Sequence, residues 1–194
     1  MSALTQTAPA RLQAGESGET SRQYLAFMLG GELYAVEILR IKEIIEYGAL
    51  TTVPMMPSFV RGVINLRGSV LPVIDLQARF GRAPTQVAKR TCIVIVEIHS
   101  DAEDAASQSQ TIGVMVDAVN EVVEINANQI EPPPSFGVKI RPDFIAGMGK
   151  LGKQFVILLE LDKVLSVDEM ASLAVQSASA PAAEQALLER NAGD

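Results

Sequence analysis

The chain has 194 residues, a length that suits one domain or two small ones. It carries 23 acidic against 16 basic residues, and the net charge of -7 argues against a nucleic-acid-binding surface and against a polybasic membrane face. With one cysteine and one histidine, it can form neither an intramolecular disulfide nor a metal site built from several Cys or His ligands.

Both ends of the chain lack a periodic apolar pattern. Residues 1–21 are rich in Ser, Thr, Gln, Ala and Gly and predict a disordered N-terminal arm. The N-terminus has no basic stretch followed by an apolar one, and the apolar run Phe155–Leu159 is too short to cross a bilayer. Residues 177–194 are Ala-rich and predict a flexible tail. We therefore expect a cytoplasmic protein with a folded core at residues 22–176.

The first half of this core predicts two β-hairpins with a helical segment between them. Gly30-Gly31 predicts a tight turn, because glycine tolerates positive φ. From Ile38 to Ile45, isoleucines recur at a spacing of three or four and predict one or two amphipathic helical turns. Arg67-Gly68-Ser69 predicts the second hairpin turn. The strands predicted here are Tyr24–Leu29, Leu33–Ile38, Val60–Leu66 and Val70–Leu76.

The second half predicts more strands, one long loop and a final helix. The segment from His99 to Gln110 is acidic and rich in small residues, which predicts an exposed loop. Ser166–Glu169 has the S-x-x-E spacing of a capping box and predicts the start of a C-terminal helix. The strands predicted here are Thr91–Ile98, Ile112–Val116, Val122–Ile125 and Phe155–Leu161.

An internal repeat relates the two halves. Residues 34–54 align without gaps with residues 112–132, and residues 57–76 align with residues 142–161. The order of the two blocks is the same in both copies, which indicates a duplication. We therefore expect two similar all-β lobes, each a barrel of short strands. The repeat halves span about residues 24–76 and 91–161.

The residues that most often carry chemistry favour structural roles here. His99 stands alone at the end of a strand and predicts a solvated surface residue. Cys92 lies in an apolar strand with no neighbouring base. Asp75 and Asp117 follow apolar runs and are expected to cap the next turn rather than work as an acid–base pair. The glycines of Gly147–Gly152 match no phosphate-loop spacing and are expected to serve hairpin turns and close backbone approaches. We expect no catalytic residue, cofactor or metal, and a protein that binds other proteins.

Six stretches in register resemble the CheW family of chemotaxis coupling proteins. The most recognisable contains Asn65-Leu66-Arg67-Gly68 at the second hairpin. Together the six cover about residues 22–172 in the order of the family. They are Gly31–Ile38 continuing into Ile41–Ile44, Pro57–Leu76, Gly113–Val119, Ile130–Pro134, Phe144–Met148 and Leu161–Leu165.

This resemblance implies a mainly β fold of two five-stranded SH3-like barrel lobes, with a short helix and a C-terminal helix. It also implies a non-enzymatic adaptor without a cofactor. Such a protein links the cytoplasmic hairpin tip of a chemoreceptor, a methyl-accepting chemotaxis protein, to the regulatory domain of a CheA-type histidine kinase. It works in the cytoplasm, at receptor arrays on the inner face of the membrane, where these domains and further copies of the adaptor form rings.

The resemblance also implies site residues, each with a structural alternative. Gly62 and Gly113 could serve backbone geometry alone, and Ile41 could belong to the core instead of being an exposed anchor. Arg67 is the hardest to explain as structure, because it lies at a hairpin tip. The receptor-binding candidates are Ile38, Ile41, Glu43, Cys92 and Gly113, and the candidates for kinase binding or coupling are Arg61, Gly62 and Arg67.

Two other functions stay open at this point. The same fold could serve a chemosensory system that does not control motility. A β-barrel that binds a small molecule is the alternative from another class, and it would need polar groups converging in an apolar cavity. The predicted inward positions are almost all Val, Ile and Leu, which favours filled barrels.

Overall fold

The computed structural model describes residues 21–99, 109–133 and 140–166. The predicted N-terminal arm except Ser21, most of the predicted loop after His99, the C-terminal tail and the helix predicted to follow Ser166 lie outside the described residues. The strands are β1 Ser21–Leu29, β2 Glu32–Glu37, β3 Ile41–Glu46, β4 Val60–Leu66, β5 Ser69–Asp75, β6 Cys92–His99, β7 Ser109–Val116, β8 Ala118–Asn126, β9 Ile130–Glu131, β10 Ile145–Leu151 and β11 Gln154–Leu159. The short helices are α1 Leu76–Arg79 and α2 Leu161–Val164, and the 3-10 turns are Ile38–Arg40, Ala127–Gln129 and Pro142–Phe144.

The strands form two sheets, one for each lobe. The first lobe has the order β8-β1-β2-β11-β10-β9, and the second has the order β3-β6-β7-β5-β4. Each sheet consists of antiparallel pairs and one parallel pair, β2 with β11 in the first lobe and β5 with β7 in the second. The predicted mainly β fold of two lobes is confirmed, and the first lobe has the two-residue strand β9 as a sixth member.

Each sheet closes through the segment that follows the strand at one end of its order, β8 in the first lobe and β3 in the second. In the first lobe, β8 continues through the turn Ala127–Gln129 into β9, which pairs with β10. In the second lobe, the chain leaves β3 and Thr51 exchanges two backbone hydrogen bonds with Val63 of β4, at 2.9 and 2.8 Å. Closure thus uses the two-residue strand β9 in the first lobe and a single bridge in the second.

The internal repeat is visible in the geometry. The pairing of β4 with β5 shifts register between Val60 and Gly62, and the pairing of β10 with β11 shifts between Ile145 and Gly147. Both pairs lead into a four-residue helix, α1 or α2. Each lobe nevertheless combines strands from both repeats, since β1 and β2 join the lobe of β8, β10 and β11. The repeat halves and the lobes therefore do not correspond one to one.

Three apolar clusters fill the described part of the molecule. One small cluster lies inside each barrel, and the largest cluster combines residues of both lobes. Consecutive residues of one strand face different clusters, as Tyr24 does inside the first barrel and Leu25 between the lobes. This two-sided burial explains why these strands are continuous apolar runs instead of alternating patterns.

The helical prediction for residues 38–45 is wrong beyond its first turn. Only Ile38–Arg40 is helical, as a 3-10 turn, and Ile41–Glu46 is strand β3, paired with β6. A bulge between Ile41 and Glu43 places Ile41 and Ile44 on the same face, opposite Val96 and Val94. The bulge thus produces a spacing of three in a strand, and β-branched residues favour that strand.

Strand β10 was not predicted, because its glycines were interpreted as turns and close approaches. The close approach is confirmed. A Cβ on Gly147 would lie 2.5 Å from Ile130, and one on Gly149 would lie 2.8 Å from Ile125. The glycines let β9 and the barrel interior pack directly on the β10 backbone.

Asp75 caps the next turn as predicted, whereas Asp117 caps the distant turn between β1 and β2. Asp75 is fully buried and accepts hydrogen bonds from the backbone N–H of Gln77 and Ala78 at the start of α1. It also accepts from the backbone N–H and the hydroxyl of Thr85, at 2.8 and 2.9 Å, which fixes the linker after α1. Asp117 accepts from the backbone N–H of Gly30 at 2.7 Å. Their carboxylates are therefore occupied by structural hydrogen bonds.

Gly62→Ala tests the closure of the second barrel. Gly62 has a φ of 147°, and an added Cβ would lie 2.5 Å from the carbonyl oxygen of Thr51. We expect the free energy of unfolding, measured by urea denaturation, to fall by about 3 kcal/mol. Gly48→Ala is the control, since nothing lies within 4 Å of its added Cβ. Equal stability of the two variants would contradict this account of closure.

Candidate functional site

All the predicted site residues except Ile38 lie in the second lobe, and two of them are in contact. Arg67 Nη2 donates to Glu43 Oε1 at 3.0 Å. Glu43 lies on β3 and Arg67 lies in the turn between β4 and β5, at opposite ends of the sheet order. Barrel closure brings them together, so the sequence separation of 24 residues gave no sign of the contact.

Arg67 has a strained backbone. Its φ is 52°, and Gly68 beside it has a φ of 88°. A left-handed conformation costs a residue with a Cβ about 1–2 kcal/mol, so glycine is the usual occupant. The repeat supplies that comparison, because Gly152 occupies the equivalent tip between β10 and β11 with a φ of 60°. The first repeat thus has an arginine in a left-handed conformation where the second repeat has glycine, which adopts that conformation without strain.

Further ion pairs surround β3. Lys42 Nζ lies 3.1 Å from Glu97 Oε1 on β6. Hydrogen bonds from Ser109 and from Lys42 lower the pKa of Glu97, so its carboxylate stays charged well below neutral pH. Arg40, at the end of the preceding turn, pairs with Asp162 of α2. We name the area formed by Glu43 and Arg67 the β3 surface.

The most exposed apolar residue near β3 is one that sequence reasoning missed. Ile38 and Ile41 are half-buried and pack against the core between the lobes, which agrees with the structural alternative for Ile41, and their receptor-binding role stays a prediction. Leu39 is 85% exposed, and Ile44 is 43% exposed. The signal was present in the sequence, since Leu39 is an apolar residue outside the isoleucine spacing.

Cys92 and Gly113 lie on β6 and β7, the two strands that follow β3 in the sheet order. Cys92 begins β6 opposite Glu46, is half-buried against the core, and donates its Sγ hydrogen to the carbonyl of Arg90 at 3.2 Å. Gly113 lies in β7 between the interior side chains Ile93 and Val73, which an added Cβ would meet at 2.9 and 3.2 Å. The structure therefore gives Gly113 a packing role.

Arg61 and Gly62 lie on β4, below the loop that closes the barrel. Arg61 Nη1 lies 3.8 Å from the buried carboxylate of Asp75. The Arg61 side chain also lines an open groove of about 610 Å³ with Val60, Tyr47 and neighbouring loop residues. Gly62 permits the contact with Thr51 described above. Arg61 is thus partly exposed, while Gly62 is buried and shapes the backbone beneath the groove.

His99 is exposed, as predicted, but it is also part of a polar cluster. Its backbone N–H donates to Asp162 Oδ1 at 2.8 Å, and its Nδ1 contacts the guanidinium of Arg40. In the described residues, no group of three or more His, Cys, Asp or Glu side chains could hold a metal ion. No helix among the same residues is long and apolar enough to cross a membrane.

Comparison with known proteins decides the family. Residues 23–169 match the CheW-like domain, which is more than half of the chain. The chain belongs to the CheW family. Chemotaxis protein CheW of Klebsiella aerogenes is 34% identical over 156 residues, which cover 80% of this chain and 89% of that protein. Protein FrzA of Myxococcus xanthus is 27% identical over 168 residues, which cover 86% of this chain and 99% of that protein.

A solved structure supports the same conclusion. The scaffolding protein TtCheW from Thermoanaerobacter tengcongensis has a TM-score of 0.65 and 36% sequence identity, over 75% of this chain and 88% of that one. The predicted CheW resemblance is therefore confirmed, and a role as a chemotaxis scaffold or adaptor follows from the family. The roles of the individual site residues and the domain boundaries stay predictions.

Ile41→Asp and Leu39→Asp test the revised assignment of the apolar residues. Ile41→Asp places a charge against the core between the lobes, so we expect the free energy of unfolding to fall by about 2–4 kcal/mol. Leu39→Asp, at an exposed position, is expected to change it by less than about 0.5 kcal/mol. Urea denaturation of both variants checks this, and a stable Ile41→Asp would restore Ile41 as an exposed anchor.

Proposed function

We propose that this chain is a non-enzymatic adaptor that couples the cytoplasmic hairpin tip of a chemoreceptor to the regulatory domain of a CheA-type histidine kinase. Its place of work is the cytoplasm, at receptor arrays on the inner face of the membrane, with further copies of itself in the same rings. The family assignment supports this proposal. The observation that carries it within the chain is the Glu43–Arg67 pair on a strained hairpin tip.

The pair has little value for the fold. The Arg67 side chain is 78% exposed and that of Glu43 is 30% exposed. An exposed ion pair contributes about 0–1 kcal/mol to stability, which does not exceed the cost of the left-handed backbone. Strain that the fold does not need is typical of functional positions. At a protein–protein interface, arginine is among the residues that contribute most to binding.

The barrel interiors disfavour the small-molecule alternative. The first is filled by Tyr24, Ile125 and Leu158 with their neighbours. In the second barrel, a Cβ added at Gly113 would lie 2.9 Å from Ile93, so no space for even a methyl group is left there. A ligand-binding barrel needs a cavity with converging polar groups, and these interiors are packed with apolar side chains.

Arg67→Gly separates coupling from folding. The substitution removes the strain together with the Glu43 contact, so the free energy of unfolding should stay within about 1 kcal/mol of wild type or rise. We expect it to abolish activation of a CheA-type kinase in a mixture with a receptor cytoplasmic fragment. Arg67→Glu should do the same, because it places a like charge beside Glu43. Kinase autophosphorylation and urea denaturation are the two measurements.

Lys89→Glu is the matched charge-reversal control, because Lys89 is an exposed residue of the linker between α1 and β6. It should leave both folding and kinase activation unchanged. Full activation by Arg67→Gly would remove the functional role of this hairpin. Failure of the wild-type chain to activate any such mixture, while it remains folded, would contradict the adaptor proposal itself.

A further inference from the structure

Strand β1 lies between β8 and β2, but β2 covers only part of its edge. The pairing with β8 begins at Ser21, opposite Asn126. The pairing with β2 begins only at Tyr24, opposite Glu37, which is the last residue of β2. Within the described part of the chain, residues 21–23 therefore have a neighbouring strand on one side alone. Backbone groups on the other side of such a strand can pair with a further segment.

The place that β2 leaves open is a groove of about 350 Å³ beside the start of β1. After Glu37 the chain turns away from β1 into the 3-10 turn Ile38–Arg40 and continues to the second lobe. Leu39 in this turn is 85% exposed and lines the groove together with Ser21. The groove thus combines an open strand edge with an exposed leucine.

The charged side chains of the groove are Arg22, Glu37 and Glu124. Arg22 Nη1 lies 3.6 Å from Glu37 Oε1, and Glu124 is exposed on β8 opposite Gln23. One cation against two carboxylates leaves this groove with a net charge of -1. An extended segment that carries an apolar side chain and a cation therefore suits it, because the open edge pairs with its backbone and the side chains match the lining.

The chain itself supplies such a segment. Residues 1–20 lie outside the described residues, and they join the structure at Ser21, which lines the groove. Counting back from Ser21, the first leucine is Leu12, and Arg11 beside it is the only basic residue among residues 1–20. A short tether gives a segment a local concentration of roughly millimolar at a nearby site, so even a weak contact forms.

The spacing of glycine and proline gives this segment a register. Residues 15–18 begin and end with glycine, and four-residue loops of this kind join antiparallel strands. A reversal there places residues 10–13 opposite residues 20–23. Pro9 then lies opposite Tyr24, where β2 takes over the pairing. Proline ends a strand because it has no backbone N–H to donate, so the segment covers the gap and no more.

We propose that residues 10–13 add to the open edge of β1 as a short antiparallel strand, with Leu12 covering Leu39 in the groove. Arg11 brings the charged groups there to two cations and two carboxylates. The composition of residues 1–20 supports no fold of its own, and an existing strand edge supplies the backbone partners. The segment is an intramolecular ligand of the groove. It shields an edge and a leucine from other chains, and a partner that binds this groove must displace it.

Two leucine variants of the full chain test the pairing by amide hydrogen exchange. Leu12→Asp places a charge in the proposed contact and in an acidic groove, whereas Leu4→Asp makes the same change outside it. We expect Leu12→Asp to raise exchange at least tenfold at those amides of residues 21–23 that do not bond to β8, and Leu4→Asp to leave it unchanged. Equal exchange in both variants and the wild type would overturn the proposal. Protection that grows with protein concentration would also overturn it, because a second copy would then be the occupant.

Disulfide formation tests the register and leaves both leucines in place. In a Cys92→Ser background, Ala10→Cys with Gln23→Cys is compared with Ala3→Cys with Gln23→Cys in a glutathione buffer. Opposite residues of antiparallel strands lie within disulfide reach. Positions 10 and 3 precede Gln23 by 13 and 20 residues, so a free segment would favour position 10 only about twofold.

We expect the disulfide equilibrium to favour position 10 more than tenfold. A preference of about twofold would show that residues 10–13 do not lie beside β1 and would overturn the proposal. Neither measurement includes a receptor or a kinase, so the result does not depend on the proposed function.

Discussion

The two lobes share one large apolar core, because the central strands of each barrel face their own interior on one side and the other lobe on the opposite side. Within the described residues, this core contains 22 buried residues, against six and five in the two barrel interiors. Interiors of that size are too small to stabilise a domain by themselves. The lobes therefore depend on each other, and the exchange of strands between the repeats joins them in the chain as well as in the core.

The shared core also explains why the candidate functional positions lie where they do. Six strands have buried residues on both faces, and they are β1, β2, β5, β6, β7 and β11. Exposed features therefore lie mainly on the outer strands, the turns and the crossovers. β3 is such an outer strand, and closure of the barrel places it beside the tip of the hairpin β4–β5. The buried Asp75 fixes the start of α1 at the other end of β5, so the hairpin that presents Arg67 is anchored at its base.

The sequence predicted those parts of the structure that depend on neighbouring residues. The strands around Gly30-Gly31 and Arg67-Gly68-Ser69 have nearly the predicted bounds, since turn residues and apolar runs are local signals. The bulge in β3 gives its isoleucines a spacing of three, and this spacing led to the wrong prediction of a helix. The contacts of Arg67 with Glu43 and of Arg40 with Asp162 depend on barrel closure and on strand exchange, and no local pattern encodes them. The family resemblance supplied Glu43 and Arg67 separately, but it did not supply Leu39.

A duplicated fold provides an internal reference for what folding alone requires. Where both copies keep a feature, such as the bulges before Gly62 and Gly147, the feature serves the barrel itself. Where the copies differ, the barrel tolerates either solution, so the difference needs another cause. Arg67 opposite Gly152 is the clearest case, because the arginine makes the turn less stable and the fold gains at most a weak ion pair. Arg67 lies on the second lobe, so this departure supports the proposal that partner binding uses that lobe.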